Sequence, residues 1–403
     1  MPDVSFPSYP LADLIKEARL GTTSRSPDGL GELQLIKMGS VQAGKIDYSQ
    51  VETVERESVN NRKLISLRDG DILLNTRNTP TLVGKVGIWR DRNIESVPDN
   101  NLMILRVNDQ THPGYLNAQL SHGSPSKRIR ALAEGTTSVA AVYWRHIKSL
   151  KVPCPSLAEQ RRIAEILDTL DEQITAIMKL RQKAETQVDG LFVQLFGMSG
   201  EADSEAVQLR DAARWLSGGT PHTGTPEFWD GDIPWISAAS MKDFYISSSA
   251  RNITALGAAA GSRLVPAGTT VCVVRGMSLK NEFRVGVTTR EVAFGQDCKA
   301  LLPADGVEPW YLGYSVRALA ARVLVLVDEA GHGTGRLETP LLEKLDIQVP
   351  ALDVQAEKVR IAQSAEREIQ AHDVEIAKLQ KLKQALMSDL LTGRVRVQTA
   401  AED

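Results

Sequence analysis

This chain of 403 residues has little cysteine, few aromatic residues and no marked excess of charge of either sign. Its three cysteines, Cys154, Cys272 and Cys298, show no C-x-x-C spacing. That excludes a disulfide scaffold, and an odd count suits a reducing compartment. Lysine and arginine number 47 against 50 aspartates and glutamates, a net charge of −3. A uniformly basic nucleic-acid coat is thereby excluded, while local basic patches are not. No apolar run approaches the ~18 residues needed to cross a bilayer, and Met1–Ser5 has no basic stretch leading into an apolar one. The expectation is a cytoplasmic protein without a membrane partner.

Signatures of catalysis are missing as well. Gly84-Lys85 is followed by Val86, so no phosphate-cradling G-x-x-x-x-G-K-[ST] loop is present. Gly331-His332-Gly333-Thr334-Gly335 does not follow a strand and open a helix, and reads as a tight turn. The Asn/Asp-Pro-Pro-aromatic run of amino-methyltransferases does not occur, and Asn78-Thr79-Pro80-Thr81 does not replace it. Asp99 lacks a following Glu-x-Lys at nuclease spacing. The histidines (His112, His122, His146, His222, His332, His372) form neither H-x-x-x-H nor H-E-x-x-H, which argues against a metal site. The chain is read as a non-enzyme.

What is present is periodic. After Pro153 and Pro155, Ser156 with Glu159 has the spacing of a capping box. Apolar residues then alternate at intervals of four and three: Ile163, Leu167, Leu170, Ile174, Ile177, and on through Val188, Leu191 and Leu195, with Gly197 as the stop. Period 3.5 sustained over four heptads predicts a coiled-coil seam. A second such helix follows Pro350, with Asp353 as the expected cap and Ile369, Ile376, Leu379, Leu386 and Leu390 on the seam, ending at Gly393. His372 and Lys383 interrupt that seam. Each helix would be ~60 Å long at 1.5 Å per residue. Packing on each other is the economical way to bury both stripes; packing of each helix on its own globular domain is the alternative.

The chain also repeats itself. Asp69-Gly70-Asp71-Ile72-Leu73-Leu74-Asn75-Thr76-Arg77 is answered by Ala267-Gly268-Thr269-Thr270-Val271-Cys272-Val273-Val274-Arg275. Lys85-Val86-Gly87, Pro113-Gly114-Tyr115-Leu116, Gly135-Thr136 and Lys151-Val152-Pro153 likewise return in order as Arg284-Val285-Gly286, Pro309-Trp310-Tyr311-Leu312, Gly333-Thr334 and Gln348-Val349-Pro350. The arrangement is globular, helix, globular, helix. Antiparallel helices would relate the halves by a pseudo-two-fold axis and put two similar domains at the ends of a rod, spanning one to two turns of DNA at ~34–36 Å each.

With this arrangement, the run Val152-Pro153-Cys154-Pro155-Ser156-Leu157-Ala158-Glu159-Gln160-Arg161-Arg162-Ile163-Ala164-Glu165-Ile166-Leu167 resembles the specificity subunits of type I restriction-modification systems. So do the closing Lys381–Val395 segment, Gly219-Thr220-Pro221 and Asp232-Ile233-Pro234-Trp235-Ile236. The second helix departs from the pattern, opening Leu352-Asp353-Val354-Gln355-Ala356-Glu357-Lys358 without a Glu-Gln pair, and the first domain lacks the Gly-Thr-Pro and Ile-Pro-Trp-Ile runs. The resemblance implies an α+β chain: two mixed α/β target-recognition domains joined by two long antiparallel coiled-coil helices. The recognition domains would occupy 1–152 and 200–350, the helices 153–199 and 351–393, and a tail 394–403. It further implies a non-catalytic subunit in which each domain reads half of a bipartite, asymmetric site in double-stranded DNA. Two adenine-methylating modification subunits would dock on the helices, and restriction/translocase subunits would join them. S-adenosylmethionine, ATP and magnesium would belong to those partners, with no cofactor or metal bound by this chain. A stand-alone bipartite DNA-binding regulator and a coiled-coil scaffold for two protein ligands are the rival readings.

Charge differs between the halves. Residues 1–150 hold 19 basic and 16 acidic residues, a net +3, and residues 200–349 hold 14 and 18, a net −4. The strongest candidate DNA contacts are Lys127, Arg128 and Arg130, followed by Thr136 and Thr137 as hydroxyl and backbone donors to phosphate. Arg77 and Asn78 have the side chains that pair bidentately with guanine and adenine. Lys45, Arg62, Lys63 and Lys85 are phosphate candidates, and Arg275, Ser278, Lys280, Asn281, Arg284 and Arg336 are the second-half counterparts. The competing reading of each is a solvated surface charge. Trp229, Trp235, Trp310 and Tyr311 are read as core rather than base-stacking residues.

Overall fold

The computed structural model describes residues 6–26, 31–42, 44–90, 93–135, 138–197, 205–330 and 333–398. It divides into two units, one of Met1–Met178 with Val374–Asp403 and the other of Lys179–Asp373. Each unit takes one globular half of the sequence and a portion of both long helices.

In unit 1 the runs rich in Leu, Ile and Val become strands because turns bracket them and both faces are covered. Here β1 is Ser8–Pro10, β2 Ile15–Leu20, β3 Ile72–Asn75, β4 Arg77–Asn78, β5 Val86–Ile88, β6 Leu102–Val107, β7 Ala140–Ala141 and β8 Lys151–Pro153. An antiparallel sheet runs in the order β2-β6-β3-β5, with every residue of β3 buried. Strand β4 pairs with β7, and β1 pairs with β8 at the entrance to the first long helix. Helices α1 (Pro113–His122) and α2 (Ser124–Ala131) follow the sheet, and α3 is the 40-residue helix Leu157–Phe196.

Unit 2 repeats this plan. The strands that correspond to those of unit 1 are β9 (Glu205–Gln208), β10 (Ala213–Ser217), β11 (Thr270–Val273), β12 (Arg275–Gly276), β13 (Val285–Thr288), β14 (Cys298–Pro303), β15 (Thr334–Arg336) and β16 (Asp346–Val349). The main sheet runs β10-β14-β11-β13, with Tyr245–Ile246 added parallel at the β13 edge. Strand β12 pairs with β15, and β9 with β16. Helices α4 (Pro309–Ala318) and α5 (Ala320–Leu324) precede α6, the 39-residue helix Leu352–Leu390. The duplication read from short sequence matches is thus a duplication of strand order.

One backbone device recurs in both halves. Gly70 and Gly268 lead into the central strands at φ of +84° and +81°, in the left-handed region that favours glycine. A Cβ there would lie 3.1 Å from Pro113 Cγ and 3.2 Å from Pro309 Cβ, the prolines that open α1 and α4.

Both long helices end at their glycines: Gly197 donates to Val193, and Gly393 takes a φ of +78° after Leu390. The helix starts differ from expectation. Glu159 N donates to Ser156 Oγ at 3.3 Å, but the Glu159 side chain leaves the expected capping box for Arg396. Asp353 lies inside the first turn of α6 rather than at its cap, because the helix already begins at Leu352.

Within each unit the two helix portions run antiparallel. In unit 1, Ile163 and Leu167 pack with Leu390, Leu391 and Leu386, while Asp171 meets Lys383 at 2.6 Å. In unit 2, Arg181 meets Asp373 at 2.6 Å, and Val188 shares a cluster with Val359, Ala362 and Ile369. The expected seam residues Ile163, Leu167, Leu170, Ile174, Val188 and Leu390 are buried, whereas Ile177, Leu191, Leu195, Ile369, Ile376, Leu379 and Leu386 are half-buried. Phe192 and Phe196 are buried beside that register because they face Tyr311 and Tyr314 of α4. Each helix therefore serves its partner helix and the globular part of its unit at once.

Gly70→Ala and Gly268→Ala are each expected to cost about 1–2 kcal/mol, the penalty of a side chain in the left-handed region. Chemical denaturation of the two variants tests this; unchanged midpoints would contradict it.

Candidate nucleic-acid interface

In both units one side chain fastens the globular part to the start of its long helix. Gln160, in the first turn of α3, is 1% exposed. Its Oε1 accepts from the His112 backbone N–H at 2.8 Å, and its Nε2 lies 2.9 Å from the Pro155 carbonyl, 3.3 Å from that of Gln110 and 3.1 Å from Cys154 Sγ. Gln355, in the first turn of α6, is fully buried and repeats the pattern. It accepts from Glu308 N–H at 2.8 Å and donates to the carbonyls of Gly306 and Pro350 at 2.8 and 2.7 Å. Each glutamine thus ties the start of a long helix to the loop that opens α1 or α4. Beside it, Tyr115 and Tyr311 donate their hydroxyls to the Pro153 and Gln348 carbonyls at 3.0 and 2.9 Å. Burial pushes the Cys154 thiol up to about 11, so it stays protonated at neutral pH.

The other half of the Glu-Gln pair has a separate task. Glu159, 3% exposed, takes a two-pronged contact from Arg396, with both N–O distances 2.7 Å, and the Arg396 guanidinium lies 5.0 Å from the centre of the Phe6 ring. Val354 stands at the corresponding point of α6, where it is exposed.

The attachments further along the helices differ between units. In unit 1, Asp171 on α3 sits between Lys383 of α6 at 2.6 Å and Lys45 of the globular part at 2.8 Å. Burial pushes its carboxyl up, but the two ammonium groups outweigh this and hold it below the ordinary carboxylate range. In unit 2, Glu366 on α6 accepts from the hydroxyls of Tyr245 and Tyr314, both at 2.7 Å, and pairs with Arg317 at 2.8 Å. Burial raises Tyr245 to about 12 and raises Tyr314 as well, so both hydroxyls remain donors. Phe196 and Phe244 stack on Tyr314 at 5.0 and 4.6 Å between ring centres.

The candidate DNA contacts fall into distinct settings. Lys127, Arg128 and Arg130 are exposed on α2, and Arg77 is exposed on β4 beside Asn78, whose Oδ1 accepts from Thr79 N–H. Lys85 is half-buried and Lys63 exposed. Thr136 and Thr137 lie outside the described residues, as do His332 and Gly331. Lys45 is held by Asp171, and Arg62 lies 3.0 Å from Glu95. In unit 2, Lys280 pairs with Glu329 at 2.7 Å, Arg284 with Glu282 at 2.8 Å, and Arg336 lies 3.6 Å from Glu338. Ser278 is half-buried and Asn281 exposed at the 3-10 turn Met277–Lys280. Arg275 and Arg336 face each other across the β12–β15 ribbon and border a cleft of about 590 Å³ that Gln296, Asp297, Glu338 and Thr339 also line. Asp328 stands opposite Arg336 on its other side, and with Asp297 and Glu338 it supplies counter-charge to the two guanidiniums.

Trp229 and Tyr311 are buried, and Trp235 and Trp310 half-buried. Arg251 lies 3.5 Å above the Trp229 ring, so this tryptophan packs under a cation and is unavailable for base stacking. The described residues contain no group of three or more His, Cys, Asp or Glu arranged to hold a metal ion. None of their helices is long and apolar enough to cross a membrane.

Sequence reading missed Gln355, Glu366 and Arg396. Gln355 had a signal, since it stands five residues after Pro350 as Gln160 stands five after Pro155. Glu366 and Arg396 had none, because their partners are remote in sequence.

Residues 31–186 match the family model described as type I restriction modification DNA specificity domain. The EcoR124I/EcoR124II specificity subunit of Escherichia coli is 29% identical over 224 residues, covering 53% of this chain and 54% of that protein. A putative MjaX specificity subunit of Methanocaldococcus jannaschii is 28% identical over 191 residues, covering 46% and 44%. The chain thus matches about half the length of these curated relatives. Among solved structures, a chain of a type I R-M system superposes with a TM-score of 0.62 at 17% identity, covering 97% of this chain and 98% of that one. The type I S subunit of M. genitalium superposes with a TM-score of 0.61 at 15% identity and covers 97% of each. At such identities the structural likeness speaks for the fold.

Two outcomes are expected of the anchors. Gln160→Ala and Gln355→Ala each strand buried backbone groups and should destabilise the chain by about 2–4 kcal/mol, against under 0.5 kcal/mol for an exposed control such as Gln182→Ala; denaturant titration measures both. Asp171, depressed in the folded state, contributes stability that is complete above its unfolded value of ~3.9 and lost as pH falls through the folded one. The stability gap between the native chain and Asp171→Asn should therefore be flat above pH ~5 and shrink below pH ~4. A gap that widens on acidification would refute the assignment.

Proposed function

From the premise that this chain belongs to the family of type I restriction-modification specificity subunits, we propose that it is the non-catalytic subunit that selects the DNA sequence. Each globular part reads one half of a bipartite, asymmetric site in double-stranded DNA. The long helices set the unread spacer and dock two adenine-methylating modification subunits, which restriction/translocase subunits join. Methyl donor, nucleotide and magnesium chemistry belongs to those partners.

The observation that carries this reading is the duplicated strand order, each copy clamped by its own buried glutamine to the first turn of its own long helix. Two similar but non-identical readers suit a target whose halves differ in sequence. Base reading is assigned to Arg77 and Asn78 on β4 and to the cleft beside Arg275 and Arg336, because the three arginines are exposed and these side chains have the donor geometry for base edges. Ser278 and Asn281 flank the second ribbon, while Lys63, Lys85, Thr136 and Thr137 are assigned to phosphate.

Mapping methylated adenines across the genome of the source cell, with and without this gene, tests the proposal. Loss of methylation at one asymmetric two-part motif on both strands is expected. An unchanged map in cells that express the chain together with a modification subunit would overturn it.

A further inference from the structure

Helices α2 and α5 hold the same place in the two halves, each following the helix that packs on the main sheet. Each drives one aliphatic side chain into its core, Ile129 or Val323, both fully buried. Around that anchor the surfaces diverge. Helix α2 carries Lys127, Arg128 and Arg130, all exposed and none paired with a carboxylate among the described residues. The positions flanking Val323 in α5 are Ala321, Arg322 and Leu324, so two of the three cations are gone.

The neighbourhood of α2 adds to the contrast. A Cβ built on Gly84 would lie 3.4 Å from Arg130 Cγ, so the turn leading to Lys85 rests on this helix. Val83, Ile129 and Ala140 share one core cluster, which also brings in β7 and its partner β4 with the exposed Arg77. Arg77 and Lys85, like the three cations of α2, have no carboxylate partner among the described residues. Lys280 and Arg284 in unit 2, by comparison, are each within 2.8 Å of a glutamate. Five cations without a carboxylate at ion-pair distance, with Glu134 on the same ribbon as Arg77 the nearby acid, raise the local potential, a cost that a polyanion laid over them removes.

We propose that the α2 face of unit 1 is the principal phosphate-binding surface of this chain for duplex DNA, and that the corresponding α5 face of unit 2 is not. This rests on the reading that the chain binds duplex DNA. One half of the site then supplies most of the sequence-independent grip, and the other half binds mainly through its reading cleft.

The test is the salt dependence with which the full chain binds a short random-sequence duplex between about 50 and 200 mM salt, where each phosphate contact adds ~0.9 to the slope of log K against log salt. Lys127→Ala, Arg128→Ala and Arg130→Ala combined should flatten the slope by about 2.7, and Arg322→Ala by no more than about 0.9. The same triple replacement by glutamine, with thermal unfolding of every variant, separates lost charge from lost fold. A triple variant that folds normally and shifts the slope by less than about 1, while the native chain binds, overturns the proposal and leaves the face to another anionic partner such as an acidic protein. If the native chain does not bind the duplex even at the low-salt end, the α2 face is not a sufficient phosphate grip and the proposal falls, while the methylation map decides the DNA reading separately.

Discussion

The buried glutamine in the first turn of each long helix is the contact on which the arrangement depends. The segment entering each long helix has the Pro155 or Pro350 carbonyl turned inward, and the loop that opens α1 or α4 has polar groups turned inward as well. Gln160 and Gln355 satisfy both sides at once, because a primary amide offers an acceptor oxygen and two donor hydrogens in a single plane. Each bonds a backbone N–H of the loop through its oxygen and two carbonyls through its nitrogen. Glutamate in the same place would turn two donated bonds into repulsion. The proline five residues upstream leaves its carbonyl available to the amide, which explains why proline and glutamine recur together at this spacing.

Beyond that shared clamp, the two units are fastened by different physics. Unit 1 uses a carboxylate between two ammonium groups, Asp171 with Lys45 and Lys383, an attachment that salt screens and acid removes. Unit 2 uses a carboxylate between two phenols and a guanidinium, walled by stacked rings at Tyr314. Hydrogen bonds from phenols that remain protonated across the physiological range, inside an aromatic wall, respond weakly to salt. Lys45 belongs to the first of these attachments, where two ammonium groups share one carboxylate and the trio keeps a net positive charge.

Much of this was legible in the sequence, and the reasons are physical. The long helices announce themselves through spacing, since a stripe buried against a partner helix must recur every three or four residues. The central strands do so through short aliphatic runs after a glycine, which Gly70 and Gly268 show to be a backbone requirement. What failed was inference about single polar residues. Glu159 and Gln160 were read as one motif, so the second helix looked incomplete without a Glu-Gln pair. The structure gives them separate roles, with the glutamine serving the clamp present in both halves and the glutamate serving Arg396 in one. Asp353 had the composition of a cap, but a cap is decided by where the chain leaves Pro350, which composition does not encode. Phe192 and Phe196 lay off the heptad register because that register describes one neighbour, and the helix there has two.

The duplication turns this one chain into its own comparison. The positions kept in both halves, Gly70 and Gly268, Pro113 and Pro309, Tyr115 and Tyr311, Gln160 and Gln355, all lie where sheet, short helix and long helix meet. The tyrosines and glutamines bond backbone groups and the glycines take a left-handed backbone turn against the prolines, needs that are the same whatever the side chains nearby. The positions that diverge, Lys127 against Ala321 on the short helices and Ala141 against Arg336 on the ribbons, carry side chains that none of these joints uses. A fold whose joints rest on backbone contacts leaves such surfaces free to change charge and shape without loosening the joint. Two similar halves can diverge in surface charge and shape only where the scaffold does not depend on the residues that change.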